Sequence, residues 1–206
     1  MTNLDGREPL ISFIVTCKGR LDHLMVSLPR LIGQRYSKII LVDSECPDGV
    51  GDWAETQFNQ ITVVRIQDQG QFHLARARNE GLKSSSTEWV CFVDADIVLS
   101  TEVGDRVTRI LDQNSFYLFQ KASGRRGTNG SCLARREHLM KIGGYDEAIK
   151  GWGGEDKDLY WRLENLGVAK KFLSHELIDA VIDHPNELRT RFSEQKSASA
   201  IHLDGR

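Results

Sequence analysis

An α/β domain with a doubly wound, mostly parallel sheet and helices on both faces is the architecture this sequence predicts. Three features predict it. Short apolar runs recur at residues 10–16, 38–42 and 89–93, a length that suits strands covered on both faces. Helical spacing follows the first run and precedes the last, and strand and helix in alternation imply parallel crossovers. Acids then stand directly after strands, at Asp43 and at Asp94 and Asp96, where open α/β sheets bind their ligands.

Each element has its own justification. Residues 10–16 form a short apolar run, and residues 20–33 place Leu21, Leu24, Met25, Leu28, Leu31 and Ile32 at helical spacing. Pro29 lies inside that helix and predicts a bend or an early end. The second strand, 38–42, leads into a turn-rich stretch at 43–52. Residues 61–66 alternate and are β-branched, so they read as a third strand; 74–84 read as a helix and 89–93 as a fourth strand. The second half is less regular, with strands expected at 116–121, 131–135, 168–173 and 177–182. Helices are expected at 136–142, ending at Gly143-Gly144, and at 155–166, stopped by Gly167. Residues 124–130 make a glycine-rich, basic loop, and the polar tail from 191 is expected to be helical at best or frayed.

Composition narrows the function classes. At 206 residues with 40 % apolar and 27 % charged side chains, the chain can bury a core without metal or disulfide staples. A formal charge of -2 argues against a broad grip on nucleic acid. No segment reaches the apolar length of a membrane span, and residues 1–9 lack a signal-peptide core. The four cysteines show no paired spacing, so the expected setting is the reducing cytoplasm.

Residues Val90-Cys91-Phe92-Val93-Asp94-Ala95-Asp96 carry the most chemistry. Mg²⁺ and Mn²⁺ take one or two carboxylates plus substrate phosphates, and an Asp-x-Asp beyond a buried strand fits such a site. The competing role for both acids is capping the next element. Four blocks occur in order: Ile11-Ser12-Phe13-Ile14-Val15-Thr16, Leu41-Val42-Asp43-Ser44, Ala77-Arg78-Asn79-Glu80-Gly81 and Phe92-Val93-Asp94-Ala95-Asp96. Together they resemble the family 2 glycosyltransferases with the GT-A fold. The resemblance implies a UDP-sugar donor, with Thr16 at the uracil and Asp43 accepting from the uracil or ribose. Arg78, with Arg76, would lie against the nucleotide and its phosphates; Asp94 would contact the ribose or donor sugar, and Asp96 the metal. The loop after Asp43 departs from the commoner Asp-Asp-Gly-Ser form.

A second block, Gly151-Trp152-Gly153-Gly154-Glu155-Asp156, sets an aromatic face beside carboxylates, as a sugar acceptor requires. Its acids also suit a helix N-terminus. The block resembles the C-terminal segment of the β-1,4-galactosyltransferase and chondroitin-polymerase type. That likeness implies Asp156 as the catalytic base, with Trp152, Gly154 and Glu155 on the acceptor; Lys157 stands where the galactosyltransferase form has a third acid. It also implies a late histidine on the metal with Asp96, for which His184 is the candidate and His175 its competitor.

The implied protein is a single GT-A domain over residues 1–206, with a nucleotide-binding half at 1–100, an acceptor-binding half at 101–190 and a tail at 191–206. Its implied reaction is inverting transfer of a hexose or N-acetylhexosamine from a UDP-sugar to a glycan or other hydroxyl, with Mn²⁺ or Mg²⁺. The alternatives are a nucleotide-sugar sensor without catalysis, or a nucleotidyltransferase; the latter is disfavoured because the loop after the first strand is poor in glycine.

Overall fold

The protein is described here by a computed structural model covering residues 10–68, 71–120, 128, 130–151, 153–185 and 187–192. Its chain opens with β1 (Ile11–Cys17), which is buried throughout. Side chains alternate across it: Ile11, Phe13, Val15 and Cys17 enter one apolar layer and Ile14 the other. Helix α1 (Leu21–Ile32) follows and continues through Pro29, where a bend or early end was expected. Proline removes one backbone hydrogen bond, whereas the fully buried Leu28 and Leu31 hold the last turn against the sheet.

β2 (Ser37–Asp43) and β3 (Ile61–Arg65) flank α2 (Val50–Gln57), a helix that lies partly in the stretch read as turns. α2 has only Val50, Gly51 and Ala54 buried, too short an apolar stripe to show as periodicity. Helix α3 (Leu74–Ser84) and β4 (Trp89–Asp94) come next, within a residue of expectation. Gly81 lets α3 lie close to the sheet, since a Cβ there would overlap Ile14 and press Val42.

The second half adds β5 (Ile97–Leu99), α4 (Val103–Val107), β6 (Ser115–Phe119), β7 (Cys132–Arg135) and α5 (Arg136–Lys141). It continues with α6 (Glu155–Asn165), β8 (Ala169–Leu173), a 3-10 turn at His175–Leu177, β9 (Ile178–Val181) and α7 (Glu187–Thr190). Among the described residues, seven strands form one sheet in the order β3-β2-β1-β4-β7-β6-β8. All pairings are parallel except those of β7, which runs against both neighbours. β6 and β7 pair antiparallel, an arrangement that needs no helical crossover between them.

Apolar layers cover both faces. One takes Leu24, Leu28 and Leu31 of α1, Val50 and Ala54 of α2, and Val103 and Val107 of α4. The other takes Ala75, Ala77 and Leu82 of α3, Leu139 of α5, and Leu159, Tyr160 and Leu163 of α6. Strand order reverses between β1 and β4, and there Thr16 lies in register with Asp94. That reversal marks the ligand crevice of a doubly wound sheet. A separate antiparallel pair, β5 with β9, ties the turn after β4 to the late chain.

Candidate active site at the β1–β4 crevice

Helix α3 delivers Arg78 into a cluster of carboxylates. Its guanidinium, 3 % exposed, donates from Nη1 to Asp156 Oδ1 at 2.6 Å and from Nη2 to Asp94 Oδ1 at 2.8 Å. Nη2 also donates to the Gly130 carbonyl at 3.2 Å, Glu155 Oε1 lies 3.5 Å from Nη1, and the Tyr145 ring centroid is 4.9 Å from Cζ. Glu155 and Asp156 open α6, where Gly154 precedes them at φ 97, so both acids occupy the positive end of that helix. Glu155 Oε2 and the Tyr145 hydroxyl are buried without a hydrogen-bond partner among the described residues. Gly130 admits the guanidinium: a Cβ there would overlap Asp94 and come within 2.7 Å of Arg78 Nη2.

Burial raises the Asp156 carboxyl to about 7; the charges of Glu155 and Asp94 push the same way, and Arg78 opposes them. A carboxyl that titrates near neutrality can take up a proton at working pH. Asp94, 31 % exposed, is the member of the cluster most open to a ligand.

The second group is a buried pair. Asp96 stands in the turn between β4 and β5, and its carbonyl accepts from Ile182 N at 2.8 Å. That tie and the β5–β9 pairing bring His184 Nε2 to 3.0 Å from Asp96 Oδ2. His184 Nδ1 lies 3.0 Å from the Pro185 carbonyl. A carbonyl only accepts, so Nδ1 carries the hydrogen, and in the neutral tautomer the Nε2 lone pair then faces a carboxylate oxygen. Two facing acceptors require a proton or a cation between them, so the donor set fits a divalent metal. No group of three or more His, Cys, Asp or Glu suited to a metal occurs among the described residues. A metal here would therefore complete its shell from water and a diphosphate, as Mg²⁺ commonly does. His23 of α1 packs over His184, ring centroids 5.4 Å apart, and its Nδ1 is buried with no hydrogen-bond partner among the described residues. Burial lowers the His23 pKa, helped by Arg20 and His184.

The third group lies at the ends of β1 and β2. Asp43 accepts from Cys46 N at 2.8 Å and from Gly51 N at 3.2 Å, so its carboxylate shapes the loop that leads into α2. Buried Lys18 donates to the Ser44 carbonyl at 2.8 Å. Asp68 is buried, hydrogen-bonds the Ser44 hydroxyl and accepts from Arg76 Nη1 at 3.3 Å. Phe192 returns to this end: its carbonyl accepts from Phe72 N at 2.7 Å and its ring packs on Gly19. The Cys46 thiol, beside Cys17 and accepting from Gly19 N at 3.1 Å, is lowered to about 6.

Asp94, Asp156, Glu155 and Arg78 are thus brought into one contact group, Asp96 and His184 into another, and Thr16, Asp43 and Arg76 lie toward the ends of β1 and β2. Arg78, expected against the nucleotide and its phosphates, engages acids and a carbonyl within the chain. Trp152, residues 124–127 and 129 of the basic loop, and the tail at 193–206 lie outside the described residues. His175 is exposed in its 3-10 turn and joins none of these groups. Sequence reasoning missed Asn79, whose amide clasps the Tyr145 N–H and carbonyl at 2.8 and 2.9 Å and Glu147 at 2.8 Å. It also missed Asp68, which the rule used for Asp43, an acid just beyond a strand, would have found.

Comparison with known proteins finds similarity to glycosyltransferases. A family described as the N-terminal domain of galactosyltransferase matches residues 113–187. The chain is 31 % identical over 126 residues to the uncharacterized glycosyltransferase EpsJ of Bacillus subtilis (strain 168), covering 58 % of this chain and 37 % of that one. It is 29 % identical over 114 residues to human beta-1,4-galactosyltransferase 4, covering 50 % and 33 %. The chain therefore spans about a third of the length of these relatives. Among solved structures, a mannosyltransferase from Pyrobaculum calidifontis in complex with GDP-Man and Mn²⁺ superposes with TM-score 0.71 at 17 % identity, over 87 % of this chain and 59 % of that one. S. aureus TarS 1-349 in complex with UDP-GlcNAc gives 0.71 at 18 %, over 86 % and 60 %. The fold is that of the GT-A glycosyltransferases.

Proposed function

We propose that this protein is an inverting, divalent-metal-dependent glycosyltransferase of the family 2 type. It would move a hexose or N-acetylhexosamine from a UDP-sugar to a hydroxyl of a glycan or similar acceptor, in the reducing cytoplasm that four free, buried cysteines suit. The observation that carries the reading is Asp156, a carboxylate poised near neutrality beside Asp94 at the β1–β4 crevice. The likeness of residues 113–187 to galactosyltransferases supports the same reading.

Asp156 accepts the proton of the acceptor hydroxyl as that oxygen attacks the anomeric carbon from the face opposite UDP. The transition state is oxocarbenium-like, and negative charge gathers on the departing diphosphate. Asp96 and His184 would hold Mn²⁺ or Mg²⁺, which supplies Lewis-acid stabilisation of that charge. Asp94, the more exposed acid of its cluster, faces the ribose or donor sugar. Asp43 uses two of about four lone-pair sites on its own loop and keeps the rest for the uracil or ribose. Thr16 borders the base, and Arg76 lies nearby on α3. Glu155, Gly154 and Trp152 are assigned to the acceptor.

UDP release from a panel of UDP-sugars, with Mn²⁺, Mg²⁺ or EDTA, tests the reading. Metal-dependent release from one or two sugars, abolished in Asp96→Ala, is expected even with water as acceptor. UDP binding without turnover, under conditions that supply hydroxyl acceptors, would point to a nucleotide-sugar sensor. Absence of UDP binding with metal present would sink the assignment of Asp43 and Asp96.

A further inference from the structure

We infer that Arg78 is the positioning residue of the base, fixing Asp156 against Asp94 rather than gripping the donor diphosphate. The inference rests on the reading of Asp156 as the base. Three observations carry it. First, the described contacts of the guanidinium are all internal: Asp156, Asp94, Glu155, the Gly130 carbonyl and the face of Tyr145. Second, backbone closes over it, because Gly130 leaves no room beside Nη2 even for a methyl group. Third, the surroundings have the wrong charge for a phosphate. Three carboxylates face one cation, so a diphosphate entering here would meet excess negative charge.

A planar guanidinium spanning two acids does what an ammonium cannot. Nη1 takes Asp156 and Nη2 takes Asp94, so the rigid fork sets the spacing between the acid assigned to the acceptor proton and the acid assigned to the donor. The same contact opposes the burial that favours the protonated form of Asp156. The titratable groups facing Asp156 are Arg78 of α3, Asp94 of β4, Cys132 of β7, Tyr145 after α5, and Glu155 and Tyr160 of α6. Arg78 is the cation among them, so weakening it leaves only influences that favour the protonated acid.

The test compares wild type, Arg78→Lys and Arg78→Ala by the pH dependence of kcat, by KM for the UDP-sugar, and by ¹³C titration of the Asp156 carboxyl carbon. In wild type the acid limb of kcat and the carbon titration should coincide near neutrality. In Arg78→Ala both should move up by about one pH unit or more, the usual effect of removing an opposite charge. In Arg78→Lys, kcat should fall about tenfold or more at neutral pH while KM for the donor stays within about threefold, the split expected when an interaction serves the transition state. If Arg78→Ala does not fold, judged by circular dichroism, Arg78→Lys decides by the same criteria. A donor KM raised about tenfold, with the acid limb and the carbon titration unmoved, would assign Arg78 to the diphosphate and overturn the inference. A wild-type protein that turns over no UDP-sugar would end the proposed function; the carbon titration would then decide the Arg78–Asp156 coupling alone.

Discussion

At the scale of single residues, the carboxylate cluster trades stability for reactivity. Asp156 has a folded-state pKa of about 7, above the ordinary aspartate value of 3.8, through burial and the charges of Glu155 and Asp94. Between those values the folded state binds the proton that the unfolded state has lost, so stability falls as pH rises through this window. Asp156→Asn removes one of three carboxylates facing a single arginine. We expect it to abolish transfer yet raise Tm at pH 8 by about 2–4 °C, the shift that goes with about 1 kcal/mol in a chain of this size. The gain should vanish near pH 4, where the native acid is itself protonated, and thermal melts at the two pH values check both halves of the claim. How legible this cluster is from sequence varies with the residue. Asp94 and Asp156 lie at element ends where chemistry is expected. Asn79 sits inside a motif whose arginine draws attention first, and its partner Tyr145 is 66 positions away. The role of Arg78 depends on which groups meet across the fold, and one-dimensional spacing carries no such information.

At the scale of elements, α3 is the part on which most of the site hangs. Within five consecutive residues, Ala77 packs in the core, Arg78 spans the acids, Asn79 clasps the loop at 145–147, and Gly81 sets the helix on β1 and β2. Gly81→Ala gains about 1 kcal/mol of helix propensity. It must also displace Ile14 and Val42, an overpacking cost of about 1–3 kcal/mol. Net destabilisation in urea unfolding is expected, with kcat falling more than the lost stability explains because Arg78 moves with the helix. An unchanged kcat would mean that α3 absorbs the shift without moving its arginine. α3 was legible because its apolar positions repeat on one face, and β1, β2 and β4 because they are apolar throughout. The three-residue β5 and the five-residue α4 are shorter than any period that could reveal them. β7, expected as a strand, gives no sign in its own sequence that it runs antiparallel.

At the scale of the whole molecule, the two halves are joined through Asp96 and His184 as well as through the sheet. A ligand that binds only the folded state stabilises it in proportion to the logarithm of its concentration. Mn²⁺ with UDP should therefore raise Tm in wild type, and the rise should be lost in both Asp96→Ala and His184→Ala. Stabilisation that survives both changes would move the metal elsewhere. The place of β7 in the sheet has a consequence for synthesis. β4 pairs with β1 on one side and with β7 on the other, so in the nascent chain its edge from Trp89 to Phe92 has no partner strand until Cys132–Arg135 emerge. At ordinary elongation rates of about 5–20 residues per second, about forty residues pass in which a buried apolar strand presents an open edge, a span of a few seconds. Such an edge is a template for intermolecular pairing, so the nascent chain is most exposed to aggregation just before the partner strand of its acidic motif arrives.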